Sequence, residues 1–196
     1  MPHYYTSVQD AEHDEQDIVF SFAGRELTFT TDSGTFSRER VDYGSELLIK
    51  SLPELSGRLL DMGSGWGAMA LTLLKVNPEL STVMVEVNER AAELSRRNAK
   101  RLQVAQRAEI ITGDGFSVVE GLFDTIITNP PIRAGKAVYF PWFEAAYHHL
   151  KEGGTFWCVV QKKQGAGSIA AELERVFGSC ETVGRSAGFH VIKAVR

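Results

Sequence analysis

Alternating apolar and polar residues mark two short segments near the start of the chain, Ile18–Phe22 and Glu26–Thr30. A turn containing Gly24 separates them, and this arrangement is typical of a β-hairpin. The residues up to about Asp17 are polar and acidic, so we expect a poorly ordered start. Small and polar residues over Thr31–Ser37 predict a loop after the hairpin.

From Arg58 onward, apolar runs typical of buried strands alternate with segments of helical periodicity. Strands are predicted at Arg58–Met62, Thr82–Val87, Ala108–Thr112, Phe123–Thr128 and Thr155–Gln161. Helices are predicted at Ser45–Leu52, Ala68–Val76, Glu89–Leu102, Trp142–Leu150 and Ser168–Phe177. Two last strands, Glu181–Arg185 and Phe189–Ala194, join through Gly188 and predict an antiparallel hairpin. This order predicts an α/β fold with an open, mostly parallel sheet and helices on both faces.

The length and composition fit one globular domain. The 196 residues suffice for one sizeable core and are few for two, and 43% of them are apolar and 23% charged. We therefore expect a single domain with a flexible start over 1–17, a hairpin and loop over 18–44, and an α/β core over 45–196.

The net charge and the two cysteines bear on which partners and which cellular compartment the sequence predicts. A formal net charge of -4 gives no reason to expect avid, non-specific binding of nucleic acid, so any RNA contact would need a local basic patch. No apolar run approaches the roughly 20 residues of a membrane span, and the start lacks the features of a signal peptide. Cys158 and Cys180 show no metal-ligand spacing. We expect reduced thiols and a cytoplasmic protein.

A glycine-rich turn follows the first strand of the alternation, in the string Asp61-Met62-Gly63-Ser64-Gly65-Trp66-Gly67. Glycines permit a tight turn and the close approach of a ligand to the backbone, and the helix that follows presents free N–H groups. Trp66 is expected to line the same pocket. The spacing Gly63-x-Gly65-x-x-Ala68 also satisfies the dinucleotide fingerprint, so the turn alone does not identify the ligand.

Two acidic residues follow the next two strands. Glu86 lies roughly 20 residues beyond the turn, where a carboxylate can accept hydrogen bonds from both ribose hydroxyls of a nucleoside. Asp114 is placed to accept a hydrogen bond from an adenine amino group. The neighbouring Val87 and Gly115 are assigned to the same cofactor site. The position of Glu86 suits NAD and S-adenosylmethionine equally.

The string Asn129-Pro130-Pro131-Ile132 directly follows a predicted strand. The prolines cannot continue a ladder of hydrogen bonds, so the strand stops at the ligand crevice. The side-chain carbonyl of Asn129 and the backbone carbonyl of Pro130 can hold both hydrogens of a planar amino group and aim its lone pair at a methyl group on sulfur. No general base is needed first, because the methylated nitrogen becomes acidic enough to lose a proton to solvent. The string predicts methyl transfer to an amino nitrogen.

Together these residues resemble class I S-adenosylmethionine-dependent methyltransferases that act on amino nitrogens. The closer resemblance is to the RsmC-like group of the methyltransferase small domain family, which are guanine-N2 methyltransferases of small-subunit ribosomal RNA. The strings that carry it lie between about 33 and 167: Ser33–Ser37, Val41–Ser45, Val87–Arg90, Ile127–Lys136 and Gln161–Gly165.

The resemblance implies a Rossmann-like, seven-stranded sheet whose last two strands are antiparallel, with S-adenosylmethionine as cofactor. It implies cofactor contacts from Asp61, Gly63, Gly65, Glu86 and Asp114, and a catalytic tetrad over Asn129–Ile132, in which Asn129 also borders the cofactor. The implied partner is small-subunit ribosomal RNA or a ribosomal particle, with no membrane.

The chain departs from the group in two respects. Many relatives carry an aromatic residue after the two prolines, whereas Ile132 cannot stack on a base, so Phe36 or another aromatic is expected to clamp the target. Characterised members can also carry an additional N-terminal domain, whereas this chain has only the hairpin region.

Basic residues in the segments that flank the expected site could form a rim for phosphates, namely Arg38, Arg40, Arg133, Lys136, Lys162 and Lys163. Scattered solvated charges are the alternative interpretation of this set. A second basic run, from Arg96 to Arg101, lies on a helix with Glu89 and Glu93 and predicts a solvated face. The adjacent His148 and His149 point in different directions on a helix, and no metal site is predicted.

Four functions stay open at this point. The leading hypothesis is an RNA guanine-N2 methyltransferase, and the second is methylation of a protein glutamine or another amino nitrogen. A nicotinamide-dependent oxidoreductase satisfies the glycine spacing, although the sequence offers no evident proton donor for hydride chemistry. A non-catalytic RNA-binding or assembly module would keep the fold without needing the intact string at Asn129.

Overall fold

A small hairpin opens the part of the chain that the computed structural model describes, residues 11–196. Its strands, β1 (Gln16–Phe22) and β2 (Arg25–Thr31), pair antiparallel as a separate two-stranded sheet. Both turn residues have positive φ, 48° at Ala23 and 73° at Gly24, which is the conformation of a type I′ turn. The predicted hairpin is confirmed.

Seven more strands and five helices follow in alternation. The strands are β3 (Gly57–Met62), β4 (Leu80–Glu86), β5 (Ala108–Thr112), β6 (Phe123–Thr128), β7 (Leu150–Gln161), β8 (Cys180–Ser186) and β9 (Phe189–Val195). The helices are α1 (Tyr43–Ser51), α2 (Ala68–Val76), α3 (Glu89–Arg101), α4 (Lys136–His149) and α5 (Ala166–Phe177). None of these helices is long and apolar enough to cross a membrane.

The seven strands form one sheet in the order β5-β4-β3-β6-β7-β9-β8. The first five are parallel, and β9 is antiparallel to both of its neighbours, β7 and β8. The predicted Rossmann-like sheet and its closing hairpin are confirmed. Because the strand order reverses between β3 and β6, the turns after these two strands border the crevice in which such sheets bind ligands.

Helices cover both faces of the sheet, as predicted. On one face, α1, α2 and α3 pack together with the hairpin around buried side chains such as Phe29, Leu48 and Leu71. On the other face, α4 and α5 pack around Phe143 and Ile169. The two apolar layers cover both faces of the sheet, and the strand ends between them carry the predicted site.

The helix predicted over Trp142–Leu150 is six residues longer at its start, because α4 begins at Lys136. Pro141 lies inside it as the sixth residue, where a proline removes one intrahelical hydrogen bond. Gly153 and Gly154 lie beyond the helix, within β7, and the pairing of that strand with β6 shifts register between Phe123 and Thr125.

Residues 11–17 differ from the poorly ordered segment that the sequence predicts. Over 11–17, Glu15 pairs with Arg97 at 2.6 Å, and Asp17 with Arg101 at 2.7 Å. The basic face of α3, predicted to be merely solvated, therefore holds the segment that leads into β1. The part of the prediction that concerns residues 1–10 lies outside the described residues.

Candidate active site

The glycine turn folds back over the end of β4. The backbone N–H groups of Gly63 and Ser64 both donate to the carbonyl of Val85, at 2.9 and 3.0 Å. Gly67, with φ of 96°, is the N-cap residue of α2, and a Cβ there would lie 2.5 Å from a methyl carbon of Leu71. At Gly65, with φ of 58°, a Cβ would meet no atom within 4 Å. The turn thus presents bare backbone to open space, as a cradle for a ligand requires.

Glu86, the last residue of β4, is fixed against this turn. Its Oε2 accepts a 2.7 Å hydrogen bond from the N–H of Gly65, and its Oε1 accepts one of 2.8 Å from Asn88. Burial raises the pKa of Glu86, while these backbone donors and that of Val87 act in the opposite direction. The carboxylate is therefore held at the rim of the crevice, where each oxygen can accept a further hydrogen bond.

Asp61, near the end of β3, is fully buried below the turn. Its Oδ2 accepts a 3.2 Å hydrogen bond from the N–H of Ala70, whereas Oδ1 is buried with no partner. Burial raises the pKa of Asp61 to about 7, and the nearby Glu86 adds to the shift. The hydroxyl of Ser64 is likewise buried and unpaired. Unpaired buried polar groups beside an open cradle fit a ligand that brings ammonium and hydroxyl groups.

The turn after β5 meets the same crevice. Asp114 is exposed there, and Gly115 has φ of 58°. A Cβ on Gly115 would lie 3.1 Å from the indole nitrogen of Trp142, and a Cβ on Gly63 would lie 3.8 Å from the same ring. Trp142 on α4 thus lies between the two glycine turns. Sequence reasoning placed Trp142 in a helix but missed its place at the site, because no local pattern shows which way it faces.

Asn129 follows β6 directly, and its side chain is fixed by α1. Its Nδ2 donates to Oδ2 of Asp42 at 3.1 Å and to Oγ of Ser45 at 3.0 Å. Both amide hydrogens are thereby engaged, and Oδ1 remains as the acceptor that the sequence predicts. The partners of Asn129 were missed, although both lie in the string Val41–Ser45, since 87 residues separate Asp42 from Asn129.

The two prolines make a sharp turn. Pro131 has φ of -75° and ψ of 74°, the geometry of an inverse γ-turn, and the N–H of Ile132 donates to the carbonyl of Pro130 at 2.8 Å. This bond uses one lone pair of the Pro130 carbonyl and leaves the other for a substrate. Ile132 packs against the apolar layer around α4 and α5.

Two predicted site residues have other partners. Trp66 was expected to line the ligand pocket, but its ring is only 2% exposed and packs against Phe29 of the hairpin, 5.2 Å between centroids. Its indole N–H donates to the carbonyl of Phe36 at 2.8 Å. Arg38 was expected to hold phosphate, but its guanidinium pairs with the carboxylate of Asp14. Both side chains therefore stabilise the region around the hairpin.

The remaining predicted substrate residues are exposed. Arg133 and Lys136 follow the tetrad, and Lys162 follows β7, whose end lies beside that of β6. Phe36 is 48% exposed on its loop, with its carbonyl anchored by Trp66. All four side chains are exposed, and the ammonium group of Lys136 lies 5.5 Å from the centre of the Phe140 ring.

The structure adds a second exposed aromatic residue, next to Asp42. Tyr43 is 43% exposed, its ring lies 5.7 Å from that of Phe189, and its hydroxyl lies 2.7 Å from Oγ of Ser186. Phe189 begins β9 at the same edge of the sheet as Asn129. No sequence signal separates Tyr43 from an ordinary exposed residue at the start of a helix.

A doubly wound sheet with this strand order, this glycine turn and an Asn-Pro-Pro turn after β6 defines the class I methyltransferase fold. The chain belongs to the methyltransferase small domain family, whose model matches residues 26–193. It is 42% identical over 196 residues to the Bacillus subtilis protein YbxB, called uncharacterized, covering 98% of this chain and 97% of that one.

Other relatives are ribosomal RNA small subunit methyltransferases C. That of Shewanella loihica is 35% identical over 151 residues, covering 75% of this chain and 44% of its own. A solved structure of the Thermus thermophilus 16S rRNA N2 G1207 methyltransferase RsmC, in complex with AdoMet and guanosine, is 28% identical with a TM-score of 0.83, covering 93% of this chain and 50% of that one. The chain thus spans about half the length of these methyltransferases.

Proposed function

We propose that the protein is an S-adenosylmethionine-dependent methyltransferase acting on the exocyclic N2 of a guanine in small-subunit ribosomal RNA. The observation that carries this proposal is the side chain of Asn129, whose amide hydrogens are engaged at 3.0 and 3.1 Å so that Oδ1 can accept from a substrate amine. The likeness to RsmC, solved with AdoMet and guanosine, supports guanine as the base.

The cofactor site is assigned to the crevice around the glycine turn. S-adenosylmethionine, when bound, supplies an electrophilic methyl group on a sulfonium. The unpaired Oδ1 of Asp61 suits the ammonium group, and the carboxylate of Glu86 suits the ribose hydroxyls. Gly65 leaves room for the ligand against the backbone, and Asp114 is positioned for the adenine amino group.

Asn129 and Pro130 orient the target amine. The Oδ1 atom of Asn129 and the carbonyl of Pro130 accept its two hydrogens, which turns the nitrogen lone pair towards the methyl group and stabilises positive charge as it develops. As the new C–N bond forms, the C–S bond breaks, and the methylated nitrogen then loses one proton to solvent. No general base among the chain's residues takes part before transfer.

The RNA is held at the carboxyl edge beyond Asn129. A base inside a duplex cannot reach a strand-end crevice, so the target guanine is unpaired or flipped out. Arg133, Lys136 and Lys162 hold phosphates, and Phe36 or Tyr43 stacks on a base. Because the net charge of the chain is -4, RNA binding depends on these local basic residues. The 196 residues form one methyltransferase domain, and the proposed place of action is the cytoplasm, where ribosomes assemble.

Transfer of a radiolabelled methyl group tests the proposal. Purified protein, labelled S-adenosylmethionine and either small-subunit particles or naked ribosomal RNA are incubated, and the digested nucleosides are identified by mass spectrometry. N2-methylguanosine is expected with the wild type and is expected to be lost with Asn129→Ala. Label on protein alone, or on adenine or cytosine, would contradict the substrate and leave amine methylation standing.

A further inference from the structure

We propose that Asp42 is a positioning residue that fixes which way the amide of Asn129 faces, an inference that rests on the proposed amine methylation. The two ends of an amide side chain are alike in shape but opposite in hydrogen bonding. An ionised carboxylate only accepts, so Oδ2 of Asp42, 3.1 Å away, can pair with the NH₂ end alone. Ser45 accepts the second amide hydrogen at 3.0 Å. Oδ1 is thereby turned to the substrate side.

The start of α1 holds Asp42 in place for this task. Oδ2 of Asp42 also accepts a 3.2 Å hydrogen bond from the backbone N–H of Ser45, which caps the helix. Gly44 lies between these two residues. A Cβ on Gly44 would lie 3.0 Å from Oδ2 of Asp42 and 2.9 Å from a ring carbon of Phe189, so a glycine is needed for this close packing.

The orientation of the Asn129 amide matters because the reversed orientation would repel the amino group of the substrate. A reversed Asn129 would set its NH₂ against the NH₂ of the target, donor against donor. The anionic carboxylate behind the amide also polarises it, which strengthens Oδ1 as an acceptor for a nitrogen that gains positive charge in the transition state. Asp42 therefore acts on the rate of transfer through Asn129 without touching cofactor or substrate.

Asp42→Asn tests this role, because it keeps the size of the side chain but allows either the oxygen or the NH₂ of the new amide to face Asn129 and the N–H of Ser45. We expect kcat to fall about tenfold or more, with unchanged affinity for S-adenosylhomocysteine. Asp124→Asn is the matched control, since Asp124 accepts from the N–H of Arg58 at 2.7 Å and pairs with Lys151 near the opposite end of β6. It should lower the melting temperature and leave kcat unchanged.

An exchange of the two side chains separates positioning from helix capping. Asn129→Asp alone sets two carboxylates against each other. Asp42→Asn/Asn129→Asp restores a donor–acceptor pair and leaves one carboxylate oxygen free for the amine, so kcat is expected to exceed that of either single variant by about tenfold. A capping role alone predicts no such recovery.

Two results would overturn the inference: an Asp42→Asn kcat within twofold of the wild type, or a double variant no faster than both single variants. A wild type that methylates no amino nitrogen would overturn the proposed function and this inference together. An active wild type with an unaffected Asp42→Asn variant would overturn the inference alone.

Discussion

The backbone N–H of Gly65 donates a 2.7 Å hydrogen bond to Oε2 of Glu86, which ties the glycine turn after β3 to the end of β4. The bond fixes the carboxylate of Glu86 against the turn. Burial of the carboxylate raises the pKa of Glu86, a cost that a ligand donating hydroxyl hydrogens would offset. The hydrogen bond therefore holds the glycine turn and the end of β4 together at the proposed cofactor site.

Removing this carboxylate should weaken cofactor binding. Glu86→Ala leaves the N–H groups of Gly65 and Asn88 without their acceptor and the ribose hydroxyls unmatched, so we expect a loss of about 1–3 kcal/mol in binding S-adenosylhomocysteine. Calorimetric titration measures it. The control is Glu109→Ala, which removes an exposed glutamate from the neighbouring strand β5 and should bind S-adenosylhomocysteine normally. Normal binding by Glu86→Ala would remove Glu86 from the site.

Gly65→Val should block the cradle sterically, since its new side chain would point into the open space over the turn. The positive φ of 58° also strains a branched side chain there. Gly178→Val shares this strain, because Gly178 has φ of 82° and free space at the end of α5. Thermal unfolding should show both variants destabilised, while titration should show cofactor binding lost only in Gly65→Val.

The apolar pattern predicts most of the fold because buried strands are nearly continuous apolar runs. Strand β6, buried at five of its six residues, begins and ends at the predicted residues. The less buried strand β5 at the edge of the sheet does so as well. The start of α4 escapes this reasoning, since Val138 is 42% exposed and Pro141 interrupts the helical pattern without ending the helix. Local sequence patterns indicate which residues are buried and which residues break a helix. They do not predict a helical segment such as the start of α4, which is stabilised by packing against distant parts of the chain.

The strand-end site residues are predictable because parallel strands bring their carboxyl ends to one edge. What those side chains touch is not predictable in the same way. Trp66 lies in the glycine turn, yet its ring packs on Phe29, 37 positions earlier in the chain. The partner of Asn129 is Asp42, 87 residues away. Such pairs depend on how the hairpin and α1 dock on the sheet, for which the sequence has no local signal.

The pKa of Asp61, raised to about 7, makes stability depend on pH. The unfolded chain loses this proton near the ordinary value of 3.8, so the folded protein holds an extra proton between about pH 4 and 7. The contribution to the free energy of unfolding is full below pH 4 and is lost as pH rises through 7. Asp61→Asn keeps an acceptor for Ala70 without a charge, and should gain up to roughly 4 kcal/mol over the wild type at pH 8.

Urea unfolding of both proteins at several pH values between 4 and 8 checks this expectation. The difference between them isolates Asp61 from other titrating groups, and a difference that does not grow with pH would contradict it. Asp61→Asn should also bind S-adenosylhomocysteine more weakly, because the neutral amide is a poorer partner for an ammonium group.

Asn129→Ala should separate catalysis from cofactor binding. Loss of a positioned transition-state contact is expected to reduce kcat by roughly 100-fold or more, while the affinity for S-adenosylhomocysteine stays within about twofold. Asn77→Ala offers a comparison, because Asn77 is a buried structural asparagine that ends α2 and accepts from the N–H of Leu55 at 2.9 Å. That variant should lose stability and keep its kcat when assayed well below its melting temperature. Near-normal turnover by Asn129→Ala would refute the tetrad assignment.

RNA binding should depend on the basic residues that follow the tetrad. Arg133 and Lys136 are exposed, and their segment continues from Asn129 at the carboxyl edge of the sheet. Arg133→Ala/Lys136→Ala is expected to raise the RNA concentration needed for half-maximal activity about tenfold or more at low salt, because two phosphate contacts are lost. The slope of log affinity against log salt should become shallower by about 2, one for each contact.

Arg25→Ala/Lys100→Ala is the control, because it removes two positive charges from exposed positions on β2 and α3 and so keeps the net charge matched. If the control variant weakens RNA binding equally, the effect comes from overall charge, and Arg133 and Lys136 do not form the RNA-binding surface. Cofactor affinity, measured in parallel, should change in neither variant.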